Sequence, residues 1–161
     1  MSVYLLMRDA VNGKCGSVFL TVDGKRHELA GVQKLSAHDK VSKSTFTTVG
    51  TVTEQTKITG VSGTGTLSIH YYANCIFGKL IQAFRKTGVW KEFQLMVVNE
   101  DAGTSVGKQS VVFEGCILTG DIPISKLDAH GNDPLLMDFT FSYQNWYALD
   151  EFNLPSAVGR E

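Results

Sequence analysis

Histidine and cysteine are the residues of this sequence with the widest chemical repertoire, since they bind metals, transfer protons and act as nucleophiles. The chain has four histidines and three cysteines: His27, His38, His70, His130, Cys15, Cys75 and Cys116. No two histidines stand in an HxH or HxxxH spacing, and the cysteines lack the paired spacing of a zinc site. No local base and acid accompany a candidate nucleophile. The pattern favours single core or surface histidines and small buried cysteines.

Three further patterns resemble functional motifs, and each lacks a required part. The stretch GVSGTGT, residues 60–66, is as rich in glycine as a phosphate loop, but it lacks Gly-Lys-Ser/Thr and precedes a predicted strand, not a helix. The loop DAHGNDP, residues 128–134, does not have the spacing of a calcium loop. The adjacent acids Glu100-Asp101 and Asp150-Glu151 would point apart in extended chain. We therefore predict no enzyme, no metal site and no cofactor.

The segment before these glycines is predicted to be extended. Residues 45–59 are rich in Thr and Val, and within them only Glu54 and Lys57 are charged. Neither face of this segment is apolar enough to bury, so we predict a hairpin arm that needs a partner. The glycines that follow are predicted to be a structural hinge, because glycine adopts backbone angles that other residues resist. These hinge residues are Gly60, Gly63 and Gly65.

Two strands with one apolar and one polar face are the clearest in the chain. Leu67 and Ile69 alternate with polar residues in residues 66–72, and residues 135–144, LLMDFTFSYQ, alternate in the same way. A period of two places the apolar positions on the core side and the polar positions on the other. The polar positions singled out are Thr66, Ser68, His70, Asp138, Thr140 and Ser142.

One helix is predicted after Asn74, which is a good N-cap. Its apolar stripe recurs at helical spacing and consists of Ile76, Phe77, Leu80, Ile81 and Phe84. The polar back of the helix includes Lys79 and Lys86, and Gly88 is a stop signal. Gly115 predicts a bulge or a point of close packing in the strand at residues 109–119.

The composition indicates one domain spanning residues 1–161, with 43% hydrophobic residues and no compositional shift. Fifteen basic residues against sixteen acidic ones give a net charge of −1, which argues against nonspecific binding of nucleic acid. The N-terminal residues lack the pattern of a signal peptide, and no apolar run reaches about 18 residues. About seven or eight strands around one helix predict a mainly β fold, a β-sandwich or small barrel with an extended hairpin arm.

Four segments together resemble one family. They are the Thr-rich arm, the KxxGxxGTGTLxxxYY pattern at residues 57–72, the helix after Asn74, and the LMDFTFSYQNW strand with its aromatic tail. The sequence is similar to the tail tube proteins of contractile phages, of the PBSX-like prophage kind, which phage-tail-like bacteriocin particles also carry. The similarity runs from GKCGSVFLTVDG to DEFNLP, while residues 1–12 and 121–134 depart from it.

The resemblance implies a subunit of the inner tube of a contractile tail, in which hexameric rings stack around a conduit through the target cell envelope. The implied partners are further copies of the chain and the sheath, tape measure, baseplate and tail terminator proteins. DNA is expected at most in passage, and the subunit is expected not to insert into a membrane. The resemblance also implies synthesis in the bacterial cytoplasm and release within a virion or phage-tail-like particle.

Three groups of residues receive roles from this resemblance. The arm would reach the adjacent ring with Thr47, Thr48, Val49, Thr51, Val52, Thr53, Glu54 and Thr56. The six polar positions above would face the lumen or a subunit seam, and Lys79 and Lys86 are candidates to face the sheath.

Two other functions compete with this interpretation. A type VI secretion tube protein would share the architecture and form soluble hexamers. A monomeric β-sandwich ligand-binding module could use Trp90, Trp146 and Tyr147 as an aromatic platform. The sequence leaves open whether the particle carries DNA or is a headless bacteriocin, and it leaves ring number and lumen charge open as well.

Overall fold

Alternating apolar and polar residues form most of the elements in the computed structural model, which describes residues 10–29, 31–70 and 75–153. Within these ranges there are eight strands and one helix. In chain order they are β1 (Gly16–Val22), β2 (Lys25–Glu28), β3 (Val32–Phe46), β4 (Gln55–His70), α1 (Cys75–Thr87), β5 (Phe93–Glu100), β6 (Lys108–Thr119), β7 (Leu136–Tyr143) and β8 (Asn145–Asp150).

The described strands form one antiparallel sheet with the order β2-β1-β5-β6-β7-β4-β3, and β8 pairs with β6. Strand β6 joins the two halves of this sheet, because its first part lies between β5 and β8 and its residues 117–119 pair with β7. The register of β5 and β6 shifts between Phe93 and Leu95, opposite Gly115, whose φ is +64°. The bulge predicted at Gly115 is therefore confirmed, and it lies where β6 changes partners.

The two halves of the sheet share one core. Leu20 of the first half and Ile69 of the second are fully buried and belong to the same hydrophobic cluster. Helix α1 contributes Phe77, whose ring centroid lies 5.9 Å from that of Phe93 and 4.8 Å from that of Phe139. These contacts confirm a mainly β fold whose single predicted helix packs on the core.

The structure corrects the prediction of a hinge. Strand β4 passes without interruption through Gly60, Gly63 and Gly65, and none of these glycines has a positive φ. The pairing of β3 with β4 shifts register between Ser42 and Lys43, next to Gly60, so the irregularity here is a bulge within a continuous ladder. The glycines therefore do not separate an arm from a strand.

Two further points concern strand β8 and the residues outside the described ranges. Strand β8 was not predicted, since Trp146 and Tyr147 were interpreted as part of an aromatic tail that follows the preceding strand. The predicted N-cap at Asn74 lies outside the described residues, as do Leu154 and residues 1–9. One domain spanning residues 1–161 stays a prediction.

Candidate assembly surfaces

Strands β3 and β4 extend beyond the rest of the sheet as a hairpin, residues 40–62, which we call the arm. Strand β7 pairs with β4 from Gly63 to His70, and among the described strands β3 alone pairs with β4 before Gly63. Every residue from 40 to 62 is exposed. The arm ends in a turn where the hydroxyls of Thr48 and Thr51 lie 2.7 Å apart. The predicted arm residues therefore all lie within a longer exposed hairpin.

Near its root the arm has one largely apolar face and one polar face. Directly paired residues of antiparallel strands project to the same side, and Leu35 and Leu67 form such a pair on the core side of the sheet. The same side continues onto the arm as the pair Val41 and Val61, followed by Ile58, and these three side chains are 51%, 62% and 65% exposed. The opposite face carries Lys40, Ser42, Ser44, Lys57 and Ser62, with Phe46 toward the tip, while Lys43 is paired with Ile58 on the apolar side. The apolar face thus continues the core face out into solvent.

Aromatic rings explain two of the three glycines in β4. A Cβ on Gly63 would collide with the ring of Tyr143, and a Cβ on Gly65 would collide with the ring of Phe141. Each glycine is paired across the ladder with the residue whose ring covers it. Glycine is needed at these positions because a neighbouring side chain approaches the backbone closely, not because of an unusual φ.

Asp39 lies where the arm begins, directly opposite Gly63. The hydroxyl of Tyr143 donates a 2.6 Å hydrogen bond to Oδ1 of Asp39, and Nε1 of Trp146 donates a 2.7 Å hydrogen bond to Oδ2. We call these three residues the arm-root clamp. The bonds from Tyr143 and then Trp146 lower the pKa of Asp39, while burial and the bond to Asp39 raise the pKa of Tyr143.

The six polar positions singled out in the sequence share one face of the sheet. Thr66 is paired with Thr140 and Ser68 with Asp138, and the hydroxyl of Ser68 donates a hydrogen bond to Oδ1 of Asp138. His70 and Ser142 stand at the two ends of the same ladder. Thr66, Asp138 and Thr140 are exposed, and the other three are half-buried. The structure therefore brings the predicted set together, while its role stays a prediction.

Comparison with known proteins identifies the family. Residues 3–150 match the family described as phage tail tube protein. The chain belongs to the phage tail tube protein family. The resemblance seen in the sequence is thus confirmed, and the function of the chain is structural, as a subunit of a tube. A comparison with curated protein sequences gave no match.

Three solved structures share the fold of this tail tube protein. A chain from the cap that terminates the anti-feeding prophage tube has a TM-score of 0.67 at 11% identity, covering 92% of this chain and 95% of that one. A chain from the extended sheath–tube complex of the PVC contractile injection system has a TM-score of 0.66 at 11% identity, covering 86% and 90%. A chain from the anti-feeding prophage baseplate has a TM-score of 0.62 at 14% identity, covering 92% and 97%. At these identities the likeness shows the fold alone.

The remaining predicted site residues of this tail tube protein lie on α1. Lys79 and Lys86 are exposed, whereas Phe77 and Leu80 on the opposite side of the helix are buried. Lys86 is in the last turn, where a positive charge is favourable against the helix dipole. Which molecule these lysines face stays a prediction.

Two observations concern the reactive side chains in the part of this tail tube protein that the structure describes. Cys116 is fully buried, and this burial raises the pKa of its thiol to about 12. No group of three or more His, Cys, Asp or Glu residues within residues 10–29, 31–70 and 75–153 could hold a metal ion. Among the residues described, no helical segment has both the length and the apolar character needed to cross a bilayer.

Sequence reasoning missed the arm-root clamp. Asp39 is separated from Tyr143 by 104 positions and from Trp146 by 107, so no local pattern joins them. One signal was present, because Asp39 stands at a position that alternation assigns to the apolar side of β3, two residues after Ala37. An acid at an otherwise apolar position of a strand points to a hydrogen-bonding partner, although Asp39 itself is exposed.

Proposed function

We propose that this tail tube protein forms the inner tube of a contractile phage tail or phage-tail-like particle by stacking hexameric rings, and that it has no enzymatic activity. The tube would provide a conduit through the envelope of a target cell. The observation that carries this proposal is the arm, which is exposed along its whole length and has an apolar face that its own subunit leaves uncovered.

Apolar exposure on the arm supports a contact with a second copy. Val49 and Val52 at the tip are fully exposed, and Val41, Ile58 and Val61 form the apolar face. Uncovered apolar side chains concentrated on one element are characteristic of an interaction surface. We assign this surface to the adjacent ring, because an arm that projects from the body can reach a neighbour that the body itself does not touch. A head-to-tail contact of this kind closes into rings or extends into filaments.

The polar face of β4 and β7 suits the lumen or a subunit seam. Its exposed side chains are two threonines and Asp138, which present hydroxyl and carboxylate groups and no apolar patch. Strand β3 is at one end of the described sheet and β2 at the other, so pairing between neighbouring subunits would cover both edges. DNA or another cargo would then pass along hydroxyl groups without specific binding.

The other partners follow from the assembly. Lys79 and Lys86 on the exposed side of α1 would face the sheath, and the ends of the tube would contact the baseplate, tail terminator and tape measure proteins. The similar structures come from a sheath–tube complex, a tube cap and a baseplate, which supports partners of these kinds. We further propose synthesis in the bacterial cytoplasm and release within a virion or phage-tail-like particle.

Truncation of the arm tests the proposal. Lys40 and Ser62 are directly paired, so a two-residue Asn-Gly turn can join them and replace residues 41–61, which include the whole apolar face. We expect the truncated subunit to fold, because the removed residues are all exposed, but to form no tubes in negative-stain micrographs. Long tubes of the truncated protein would contradict the role of the arm.

Substitutions on the two faces of the arm provide a matched comparison. The double variant V41S/V61S changes the apolar face, and S42A/S62A changes neighbouring positions on the polar face. We expect the first to weaken tube formation and the second to leave it intact. Short soluble rings of the natural chain would favour a secretion tube, and monomers at high concentration would favour a ligand-binding module.

A further inference from the structure

We propose that Asp39 is the positioning residue of the arm: its carboxylate, joined to Tyr143 and Trp146, fixes the direction in which the arm leaves the body. The clamp would thereby set where the apolar face of the arm meets a second copy. This inference rests on the proposed role of the arm in assembly. It adds a residue that acts through the arm and does not itself touch the partner.

The clamp lies at the point of the hairpin where the direction of the arm can be set. Gly63 is the first residue of β4 that pairs with β7, and Asp39 lies opposite it on β3. Beyond this point the arm is a two-stranded ribbon, and such ribbons twist more strongly and are less stable than wider sheets. A small rotation at the root is amplified along the arm, since each further residue adds about 3.3 Å of strand. A contact at Asp39 therefore has the largest effect on where the tip of the arm lies.

The two hydrogen bonds come from different strands, which makes the clamp a three-way joint. Tyr143 is the last residue of β7, and Trp146 is the second residue of β8. One carboxylate thus connects β3 to both strands at the point where the chain passes from β7 to β8. A hydrogen bond to an ionised acceptor is stronger than one between neutral groups. Because Gly63 has no side chain, the ring of Tyr143 can lie over its backbone, and the hydroxyl reaches Asp39.

Trp146 links the clamp to the apolar face of the arm. A groove of about 510 Å³ is lined by Asp39, Gly63, Tyr143 and Trp146. Val61, the apolar residue of the arm that lies nearest to Gly63 along β4, also lines it. The bond from Nε1 holds the indole beside this groove, although 47% of the Trp146 side chain is exposed. Without the carboxylate, the indole would have no fixed orientation, and the root of the apolar face would change shape.

Variants of the three clamp residues test the inference in the full-length chain. D39A removes both acceptors, D39N keeps one, and Y143F and W146F each remove one donor. We expect D39A to raise the protein concentration needed for tube formation by about tenfold or more, with smaller increases for the other three. In the unassembled subunit, D39A and D39N should speed hydrogen exchange of arm amides near the root while core amides in β5 and β6 exchange as before.

Two control variants change similar groups that make no hydrogen bond to Asp39. D23N alters an exposed aspartate that bonds Lys91 at the other end of the sheet, and Y147F alters a tyrosine on β8 next to Trp146. Both should assemble at the concentration of the natural chain. If D39A fails to fold, Y143F and W146F decide the question, because each removes one donor and leaves the other bond in place.

The outcomes separate this inference from the proposed function. Tubes formed by Y143F, W146F and any folded D39A at the concentration of the natural chain would refute the role of the clamp, provided that arm truncation abolishes assembly. Tubes formed by the arm-truncated chain would instead overturn the role of the arm itself. A loss of assembly with unchanged hydrogen exchange in the arm would also refute positioning by Asp39.

Discussion

Replacing Gly65 with alanine should destabilise the subunit, because the added methyl group has no room. A Cβ at Gly65 would lie 2.8 Å from Cε1 and 2.9 Å from Cε2 of Phe141, and it would also meet Cζ of that ring. Non-bonded carbon atoms pack at about 3.5–4.0 Å. Phe141 is 1% exposed and its ring packs against that of Phe113, so it cannot move into solvent. The strands must therefore separate locally.

The expected magnitude follows from the cost of overpacking a core, which is about 1–3 kcal/mol. For a domain of this size each kcal/mol lowers Tm by about 2–4 °C, so G65A should lower it by about 2–12 °C. The matched control is G60A on the same strand, where a Cβ would have nothing within 4 Å. Removing the freedom of a glycine from the unfolded chain should leave this control as stable as the natural chain or up to about 1 kcal/mol more stable.

Thermal unfolding followed by far-UV circular dichroism measures both variants, at a concentration where the protein sediments as a monomer so that assembly does not alter Tm. The double variant G65A/F141L checks the cause, because leucine lacks the ring atoms that the methyl group would meet. G65A should cost less in the F141L background, with a coupling of about 0.5–3 kcal/mol. Equal stability of G65A and G60A, or an equal cost of G65A in both backgrounds, would refute the close contact.

Three further predictions follow from the same structure. G115A should cost about 1–2 kcal/mol in urea denaturation, because φ at Gly115 is +64° and a Cβ would lie 3.0 Å from Gln144; an unchanged midpoint would contradict this. The pKa of Asp39 is lowered from 3.8 by its two hydrogen bonds. The ionised carboxylate therefore stabilises the folded subunit above pH 3.8, and this stabilisation is lost as the pH falls through the lowered pKa. D39N should therefore be less stable than the natural chain at neutral pH and approach it in acid, whereas a constant difference in urea midpoint would refute the assignment. Cys116 should resist alkylation at about pH 8 while the half-buried Cys15 reacts, and equal labelling by peptide mass spectrometry would be inconsistent with a thiol pKa of about 12.

The sequence predicted the parts of the fold that local periodicity encodes. Leu67 and Ile69 in β4 and Phe139 and Phe141 in β7 alternate with polar residues, and all four are buried in the structure. A period of two also fixes which side chains share a face, so the six polar positions were placed together without knowledge of the pairing. The arm was predicted from a stretch that has extended character and no face to bury, and its exposure agrees with that reasoning.

Features that depend on distant partners were not predictable in this way. A glycine at a positive φ and a glycine beneath an aromatic ring look alike in a sequence, which is why Gly63 and Gly65 were interpreted as a hinge. Strand β8 was missed because Trp146 and Tyr147 interrupt the alternation of β7, and its place beside β6 is settled by pairing. The bonds to Asp39 required the arrangement of three strands to be known.

The two faces of the arm indicate how a long exposed hairpin can remain selective. The outer strand β3 has no strand partner along one edge among the described residues, and an edge of this kind is a template for uncontrolled association. Lys34, Lys40 and Lys43 are spaced along this edge strand, and lysine on an edge opposes pairing with another strand of the same kind. Recognition through the apolar face of Val41, Ile58 and Val61 needs a complementary surface in a defined orientation, which backbone pairing does not. In the proposed assembly, the selectivity of the arm would thus depend on the direction in which that face points, which we assign to the hydrogen bonds of Asp39.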